Sequence, residues 1–283
     1  MNKKLLIVLN RVDRAQSIFQ QMQDLYEDIP MLLLHSRFKR CDRNKKESLL
    51  LGLDENGTPI NKFNSSDKAC IVISTQIVEV SLDISFDIMI TEAAPLDALI
   101  QRFGRINRKR TNETIGVMKD VYVTAPPADK KDALPYDLEI ISKSYEVLPD
   151  GDTLLERELQ EKIDTVFTKI NFLNIEEHSV FKSDGSISID QLTNRSKSIL
   201  FELLEIDSVS CICESDQSEY EAVDFERRLE LEIPVRYFSV FKMDQSKKGN
   251  KPFIVPDIAY DAEMGLDVKK IKEQNFDVNN RIL

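Results

Sequence analysis

Three arginines fall within seven residues of the stretch LIQRFGRINR, residues 99–108, and other residue types separate them. Guanidinium groups bind phosphate through paired N–H donors, but they also form ordinary ion pairs on exposed helices. The stretch therefore has two interpretations, a solvated basic surface or a phosphate-binding site. Taken alone, it favours neither.

The surrounding residues predict a helix over Pro95–Lys109. Proline at the start, with Asp97 in the first turn, is typical of a helix N-terminus. At about 100° per residue, the outward side of this helix would carry a polar set: Gln101, Gly104, Arg105 and Arg108. The opposite side would carry an apolar set: Leu99, Phe103 and Ile106. Gly104 lowers helix propensity by about 1 kcal/mol relative to Ala, which suits a ligand that approaches the backbone closely.

Polar residues also follow two predicted buried strands. The segment LLLHSRF places His35, Ser36 and Arg37 after one strand, and ACIVISTQ places Thr75 and Gln76 after another. Ligands of open α/β sheets bind beyond the carboxyl ends of the strands, so both groups are expected at one rim. Helix capping or a strand-end hydrogen bond explains each group equally well, but their occurrence together favours a site.

Apolar runs alternate with amphipathic stretches through residue 124, which is typical of βαβ units around a parallel sheet. The predicted strands are Leu5–Leu9, Met31–Leu34, Ala69–Ser74, Ile88–Thr91 and Gly116–Val123. The further predicted helices are Val12–Tyr26, Lys39–Leu51 and Gln76–Ser81. These elements predict an α/β fold.

The segment APPADKKDALP, residues 125–135, interrupts this alternation and indicates a boundary. We expect one domain over 1–124, a linker with helices over 125–175 and an acidic C-terminal domain over 176–283. The net charge of −11 is unevenly distributed, since residues 1–124 sum to +2 and the remainder to −13. A nucleic-acid surface is therefore expected in the first domain.

The four cysteines and two histidines lack the paired spacing of a structural zinc site, so no bound metal is expected. No apolar run approaches the roughly 18 residues of a membrane helix. The apolar run at residues 5–9 is too short for a signal peptide. We expect a cytoplasmic protein without membrane contact.

In their order and spacing, LHSRF, STQIVEVSLDISFD and EAAPLDALIQRFGRINR resemble motifs IV, V and VI of superfamily 2 helicases. In detail they resemble the CRISPR-associated helicase/nuclease of type I interference. The resemblance covers residues 1–124 well and the remainder weakly, through AYDAEMGL near the end. It implies a RecA-like parallel sheet flanked by helices, then a helical linker and a smaller α+β domain.

The resemblance also implies roles for individual residues. In such motors ATP and Mg²⁺ bind between two RecA-like domains. Arg108 would be the arginine finger, Arg105 would hold the γ-phosphate, and Gln101 would orient the site beside Gly104. Asp83 would contact the ribose or couple the nucleotide state to DNA, although a structural role in its loop is an equal alternative.

Five residues of motifs IV and V would contact the backbone of single-stranded DNA: His35, Ser36, Arg37, Thr75 and Gln76. Contacts of this kind grip phosphate without reading sequence, as a translocase requires.

The sequence contains no G-x-x-x-x-G-K-[ST] phosphate loop, and no GK dipeptide occurs in it. We therefore expect no ATP hydrolysis and no bound ATP or Mg²⁺ for the chain alone. The expected partner is an N-terminal half with a first RecA-like domain and an HD nuclease domain, on another chain or in a full-length protein. A CRISPR effector complex is the second expected partner.

Two alternatives to this half of an ATP-dependent helicase stay open. One is a non-catalytic module that binds single-stranded DNA or the effector complex. The other is half of another superfamily 2 DNA helicase.

Overall fold

The computed structural model describes residues 3–167, except 55, 80–81, 109–111 and 113–114, and residues 208–274. The chain divides into two compact units. The first comprises residues 1–168 together with 262–265, and the second comprises residues 169–261 and 266–283. The expected boundary after residue 175 falls within residues 168–207, which lie outside the described residues.

The first unit contains a parallel sheet of five strands in the order β2-β3-β1-β4-β5. The strands are β1 Lys4–Val8, β2 Met31–Leu34, β3 Cys70–Ser74, β4 Ile88–Glu92 and β5 Val121–Thr124. The helices are α1 Val12–Leu25, α2 Arg40–Leu51, α3 Leu96–Phe103, α4 Lys130–Ala133, α5 Leu138–Glu146 and α6 Leu159–Val166. The predicted RecA-like α/β sheet is confirmed.

Alternate residues of the central strand enter different cores, because successive side chains of a strand point to opposite faces. Leu6 and Val8 join one buried cluster, whereas Ile7 joins another with Ala15 and Phe19 of α1. Both faces of the sheet are therefore covered, as continuous apolar strands of a parallel sheet require.

Helices beyond the predicted boundary at residue 124 also pack in the first unit. Ala98 and Leu99 of α3 form a cluster with Tyr136 and Leu148. The segment APPADKKDALP thus ends the alternation of strands and helices without ending the unit.

The second unit contains a three-stranded sheet in the order β7-β6-β8. β6 pairs antiparallel with β7 and parallel with β8. The strands are β6 Ser208–Cys213, β7 Ile233–Arg236 and β8 Phe253–Val255. The helices are α7 Gln217–Ala222, α8 Phe225–Leu231, α9 Tyr237–Val240 and α10 Val268–Gln274. Two short strands are β9 Tyr260–Asp261 and β10 Gly265–Leu266. Gly265, the first residue of β10, is assigned to the first unit.

Among the helices that the structure describes, none is long and apolar enough to cross a lipid bilayer.

Candidate functional site

The polar groups expected at one rim of the sheet do follow neighbouring strands. β2 and β3 are parallel with Leu34 opposite Ser74, so His35 and Thr75 leave the sheet side by side. The Ser74 hydroxyl donates to the Leu34 carbonyl at 2.7 Å, and the Thr75 N–H donates to the same oxygen at 3.3 Å. The carboxyl ends of these strands are thereby joined at a common edge.

The predicted helix over 95–109 is wrong in its second half, because α3 ends at Phe103. The chain then forms a parallel bridge with the end of motif V, between Ile106 and Phe86. Phe86 N–H donates to Arg105 O at 2.9 Å, and Asn107 N–H donates to Phe86 O at 3.1 Å. Asn107 adopts a left-handed φ of 52°, which turns the chain away from the helix axis. Arg105 and Arg108 therefore lie on a turn.

Arg105 does not face outward, and this corrects its predicted position. The residue is 8% exposed. Its guanidinium donates to three backbone carbonyls, those of Val78 at 2.7 Å, Glu79 at 2.7 Å and Leu82 at 2.8 Å. Burial lowers the pKa of this guanidinium, and the charge of Arg108 adds to the effect. Arg105 thus fixes the motif V loop, because each of its three guanidinium nitrogens bonds to a backbone carbonyl of that loop.

Arg102 is a structural residue that the sequence reasoning passed over. It is fully buried, and its Nε donates to Glu79 Oε1 at 2.8 Å. Its terminal nitrogens donate to Thr91 Oγ1 at 2.8 Å and to Asn10 Oδ1 at 3.0 Å. A buried guanidinium needs this paired and hydrogen-bonded environment. Helical spacing could have indicated it, because Arg102 lies on the same side as Leu99.

Gln101, Gly104 and Arg108 are the predicted site residues of motif VI that are exposed. The Arg108 side chain is 44% exposed, and its Nε lies 3.5 Å from Asp83 Oδ1. Its Nη1 donates to Leu82 O at 3.2 Å, and its backbone N–H donates to Ser85 Oγ at 3.0 Å. The structure therefore brings Arg108 together with Asp83, whose side chain is 68% exposed.

The residues predicted to bind DNA divide into buried and accessible ones. His35 is fully buried and Thr75 is 2% exposed, which removes both side chains from the predicted DNA surface. Both ring nitrogens of His35 contact backbone atoms of its own unit. Ser36, Arg37 and Gln76 are partly exposed. The Gln76 amide donates to Asn10 O at 2.9 Å, so this side chain also holds the rim together.

No group of three or more His, Cys, Asp or Glu side chains within the described part of the chain is arranged to hold a metal ion. Two carboxylates near the motif VI arginines form ion pairs with them, Glu79 with Arg102 and Asp83 with Arg108.

A family model matches residues 1–111, and it describes the C-terminal part of the CRISPR-associated nuclease/helicase Cas3. The CRISPR-associated nuclease/helicase Cas3 of Methanothermobacter thermautotrophicus is 34% identical over 166 residues, which are 57% of this chain and 18% of that protein. The corresponding protein of Streptococcus thermophilus is 38% identical over 104 residues, 37% of this chain and 11% of that protein. Over residues 1–111 this chain is therefore similar to the C-terminal part of the Cas3 nuclease/helicase. Its matches span only about a fifth, or less, of the length of these Cas3 proteins.

Two solved structures extend the likeness in fold to most of the chain. The crystal structure of T. fusca Cas3 matches with a TM-score of 0.67 and 18% identity, over 94% of this chain and 39% of that one. A CRISPR RNA-guided surveillance complex in a pre-nicking state matches with a TM-score of 0.61 and 16% identity, over 93% of this chain and 40% of that one. At such identities the likeness establishes the Cas3 fold alone.

Proposed function

We propose that the chain supplies the second RecA-like domain of an ATP-dependent, single-stranded DNA translocase that acts in CRISPR antiviral defence. A first RecA-like domain, which carries the phosphate loop and the Mg²⁺ ligands, completes the motor. ATP and Mg²⁺ bind only in that two-domain assembly, since this chain has no phosphate loop. The CRISPR effector complex is the further partner, a proposal supported by the surveillance complex among its fold neighbours.

One observation carries the proposal. Of the three arginines of motif VI, Arg102 and Arg105 are buried and bonded within their own unit, while Arg108 is exposed. Its ion pair with Asp83 is long, at 3.5 Å, and largely solvated. Such a pair is worth about 0–1 kcal/mol, so a phosphate can displace the carboxylate at low cost.

The chemistry that these residues offer is stabilisation of negative charge. ATP supplies the γ-phosphoryl group, on whose oxygens charge develops during transfer. Arg108 would place its guanidinium against that charge, and an arginine finger typically contributes about 10³ to 10⁵ in rate. Gln101 would orient the site beside Gly104, where no side chain obstructs the approach. Asp83 would hold Arg108 until nucleotide arrives.

Arg105 has a different role in this proposal. Because its guanidinium bonds to the carbonyls of Val78, Glu79 and Leu82, it sets the conformation of the loop that carries Asp83. It is a positioning residue for Arg108 and Asp83 rather than a phosphate ligand.

Single-stranded DNA is the proposed substrate of the rim formed by motifs IV and V. Ser36, Arg37 and Gln76 retain exposed surface there. Phosphate contacts from such residues are independent of base sequence and weaken as salt rises.

The test is ATPase activity of the whole chain alone and mixed with a first RecA-like domain from a Cas3 relative, with and without single-stranded DNA. Activity is expected only in the mixture, and Arg108→Ala should lower it by at least about 10³. Arg157→Ala is the matched control, because that side chain is 81% exposed and lies outside the motifs.

Two outcomes would overturn the proposal. If the mixture with Arg108→Ala hydrolyses ATP at the rate of the unmodified mixture, Arg108 is not an arginine finger. An inactive mixture, with the chain alone binding single-stranded DNA, would favour the non-catalytic binding module.

A further inference from the structure

A four-residue segment from late in the sequence, residues 262–265, belongs to the first unit. The Met264 carbonyl accepts two side-chain hydrogen bonds, from Gln16 Nε2 of α1 at 2.8 Å and from His35 Nε2 at 3.0 Å. The Met264 side chain packs on the apolar cluster around Phe19. One peptide group is thus held by α1 and by the residue that begins the motif IV loop.

The His35 ring connects this segment to the backbone of Arg37. Arg37 N–H donates to His35 Nδ1 at 3.1 Å, so Nδ1 must be the unprotonated nitrogen and Nε2 the donor to Met264 O. The ring stacks on Phe38 with centroids 4.4 Å apart. Burial lowers the His35 pKa to about 3, so the ring stays neutral and this arrangement of donors persists across physiological pH.

Lys46 forms a second contact with the segment. Its ammonium lies 3.3 Å from Glu263 O and 3.4 Å from Glu263 Oε2, and 4.8 Å from the centre of the Phe38 ring. Lys46 is 7% exposed, so these oxygens and the ring replace water around its charge.

Gly265 shows how tightly the segment fits. Its φ is +74°, and a Cβ placed there would lie 2.5 Å from His35 Cε1 and 2.7 Å from Arg37 O. Any side chain at this position must displace the motif IV loop, because one of the two obstructing atoms belongs to its backbone.

We propose that residues 262–265 are the positioning element of the motif IV loop, residues 35–37, and that they hold Ser36 and Arg37 in the conformation that contacts the DNA backbone. The inference rests on the proposed DNA contacts of that loop. It gives a part in DNA binding to a segment that is distant in sequence, because Met264 lies more than 220 positions after His35.

Gly265→Ala in the whole chain tests the proposal, with Gly57→Ala as the matched control. Gly57 has a similar φ of +78° but nothing within 4 Å of an added Cβ, so it isolates backbone strain from displacement of the loop. Gly265→Ala should speed hydrogen exchange at the Arg37 amide and weaken single-stranded DNA binding about tenfold. The slope of the logarithm of the binding constant against the logarithm of the salt concentration should become shallower, by about the amount that one phosphate contact contributes.

Gln16→Leu is the second variant, for the case in which Gly265→Ala does not fold. It removes one of the two donors to Met264 O and leaves Gly265 and His35 in place. It should produce the same two changes with smaller size, a few-fold in affinity.

The outcomes separate the two proposals. Faster exchange at Arg37 with unchanged DNA affinity overturns the positioning role, and so does unchanged exchange in both variants. Arg37→Ala with unchanged DNA affinity and salt slope counts against the proposed DNA contact itself, whatever the exchange measurement shows.

Discussion

The described residues of the two units differ in the charged residue types that they bury. In the first unit the buried charges include two cations, Arg102 and Arg105, both beside the carboxyl ends of parallel strands. Among the described residues of the second unit, the buried side chain of a charged residue type is Glu232, 8% exposed. Its partners are neutral donors, the hydroxyls of Ser210 and Tyr220, both at 2.7 Å.

Both buried arginines belong to residues 1–124, which sum to +2, whereas residues 125–283 sum to −13. Part of that acidic stretch, residues 125–168, also belongs to the first unit, so the charge division does not coincide with the division into units. The two buried arginines bond to groups of their own unit, whereas the third arginine of motif VI, Arg108, is exposed.

The largest effect is expected at the buried ion pair of the first unit, Arg102 with Glu79. Arg102→Met leaves Glu79, whose side chain is 11% exposed, without its counter-ion. Breaking a buried pair by removing one partner typically costs about 3–5 kcal/mol. Urea unfolding followed by circular dichroism should show this loss in free energy of unfolding.

Arg157→Met is the control for Arg102→Met, because that side chain is 81% exposed and its change should stay within about 0.5 kcal/mol. The double variant Arg102→Met with Glu79→Gln should recover part of the loss, since no uncompensated charge remains. A loss below about 1 kcal/mol in the single variant would contradict the structural role of Arg102.

A smaller effect is expected at the buried carboxylate of the second unit. Tyr220→Phe removes the hydroxyl that donates to Glu232 Oε1 at 2.7 Å and accepts from Asn250 N–H at 3.3 Å. A buried acceptor that loses one donor costs about 1–3 kcal/mol. Ser210 and Asn250 still donate to the same carboxylate, which limits the loss.

Hydrogen exchange of the β6 amides should measure the Tyr220→Phe effect within the second unit, free of any contribution from the first. Tyr122→Phe, at a side chain that is 56% exposed, is the control and should leave exchange unchanged. If Tyr220→Phe accelerates amide exchange more in β1 than in β6, the hydroxyl does not act where its hydrogen bonds indicate.

Local patterns predicted the sheet well, because buried strands of a parallel sheet are continuous apolar runs. Met31–Leu34 has the predicted bounds, and Cys70–Ser74 differs by one residue. The last strand begins at Val121 rather than Gly116, because the apolar residues just before it are exposed. Composition alone cannot distinguish an exposed apolar segment of this kind from a β-strand.

The site was predicted less well, because its geometry depends on contacts between distant segments. The apolar spacing of α3 continues to Ile106, but the bridge from Ile106 to Phe86 ends the helix early. Arg105 bonds to carbonyls more than 20 residues earlier, and His35 to a carbonyl 229 residues later. No periodicity within a helix or a strand encodes such partners.

The smallest expected effect concerns a partly exposed ion pair of the first unit, Asp87 with Lys119. It contrasts with the buried pair of Arg102 and Glu79. Burial of the Asp87 carboxylate acts to raise its pKa, but hydrogen bonds from Lys4 N–H and the Lys119 ammonium, both at 2.9 Å, lower the pKa below its ordinary 3.8. For Glu79 burial prevails over Arg102, and the pKa lies above its ordinary 4.5.

These opposite shifts give opposite pH dependences. Because the Asp87 pKa is lowered on folding, its contribution is complete above about pH 3.8 and is lost as the pH falls through the folded value. Asp87→Asn should therefore cost up to about 1 kcal/mol at pH 7, and unfolding curves should converge with those of the unmodified chain in acid. Glu79→Gln should behave oppositely, since a raised pKa makes the unmodified chain gain stability relative to the variant as the pH falls toward 4.5. An Asp87→Asn difference that persists unchanged in acid would show that the Asp87 carboxylate stabilises the fold without its charge, and the contrast with Glu79 would be lost.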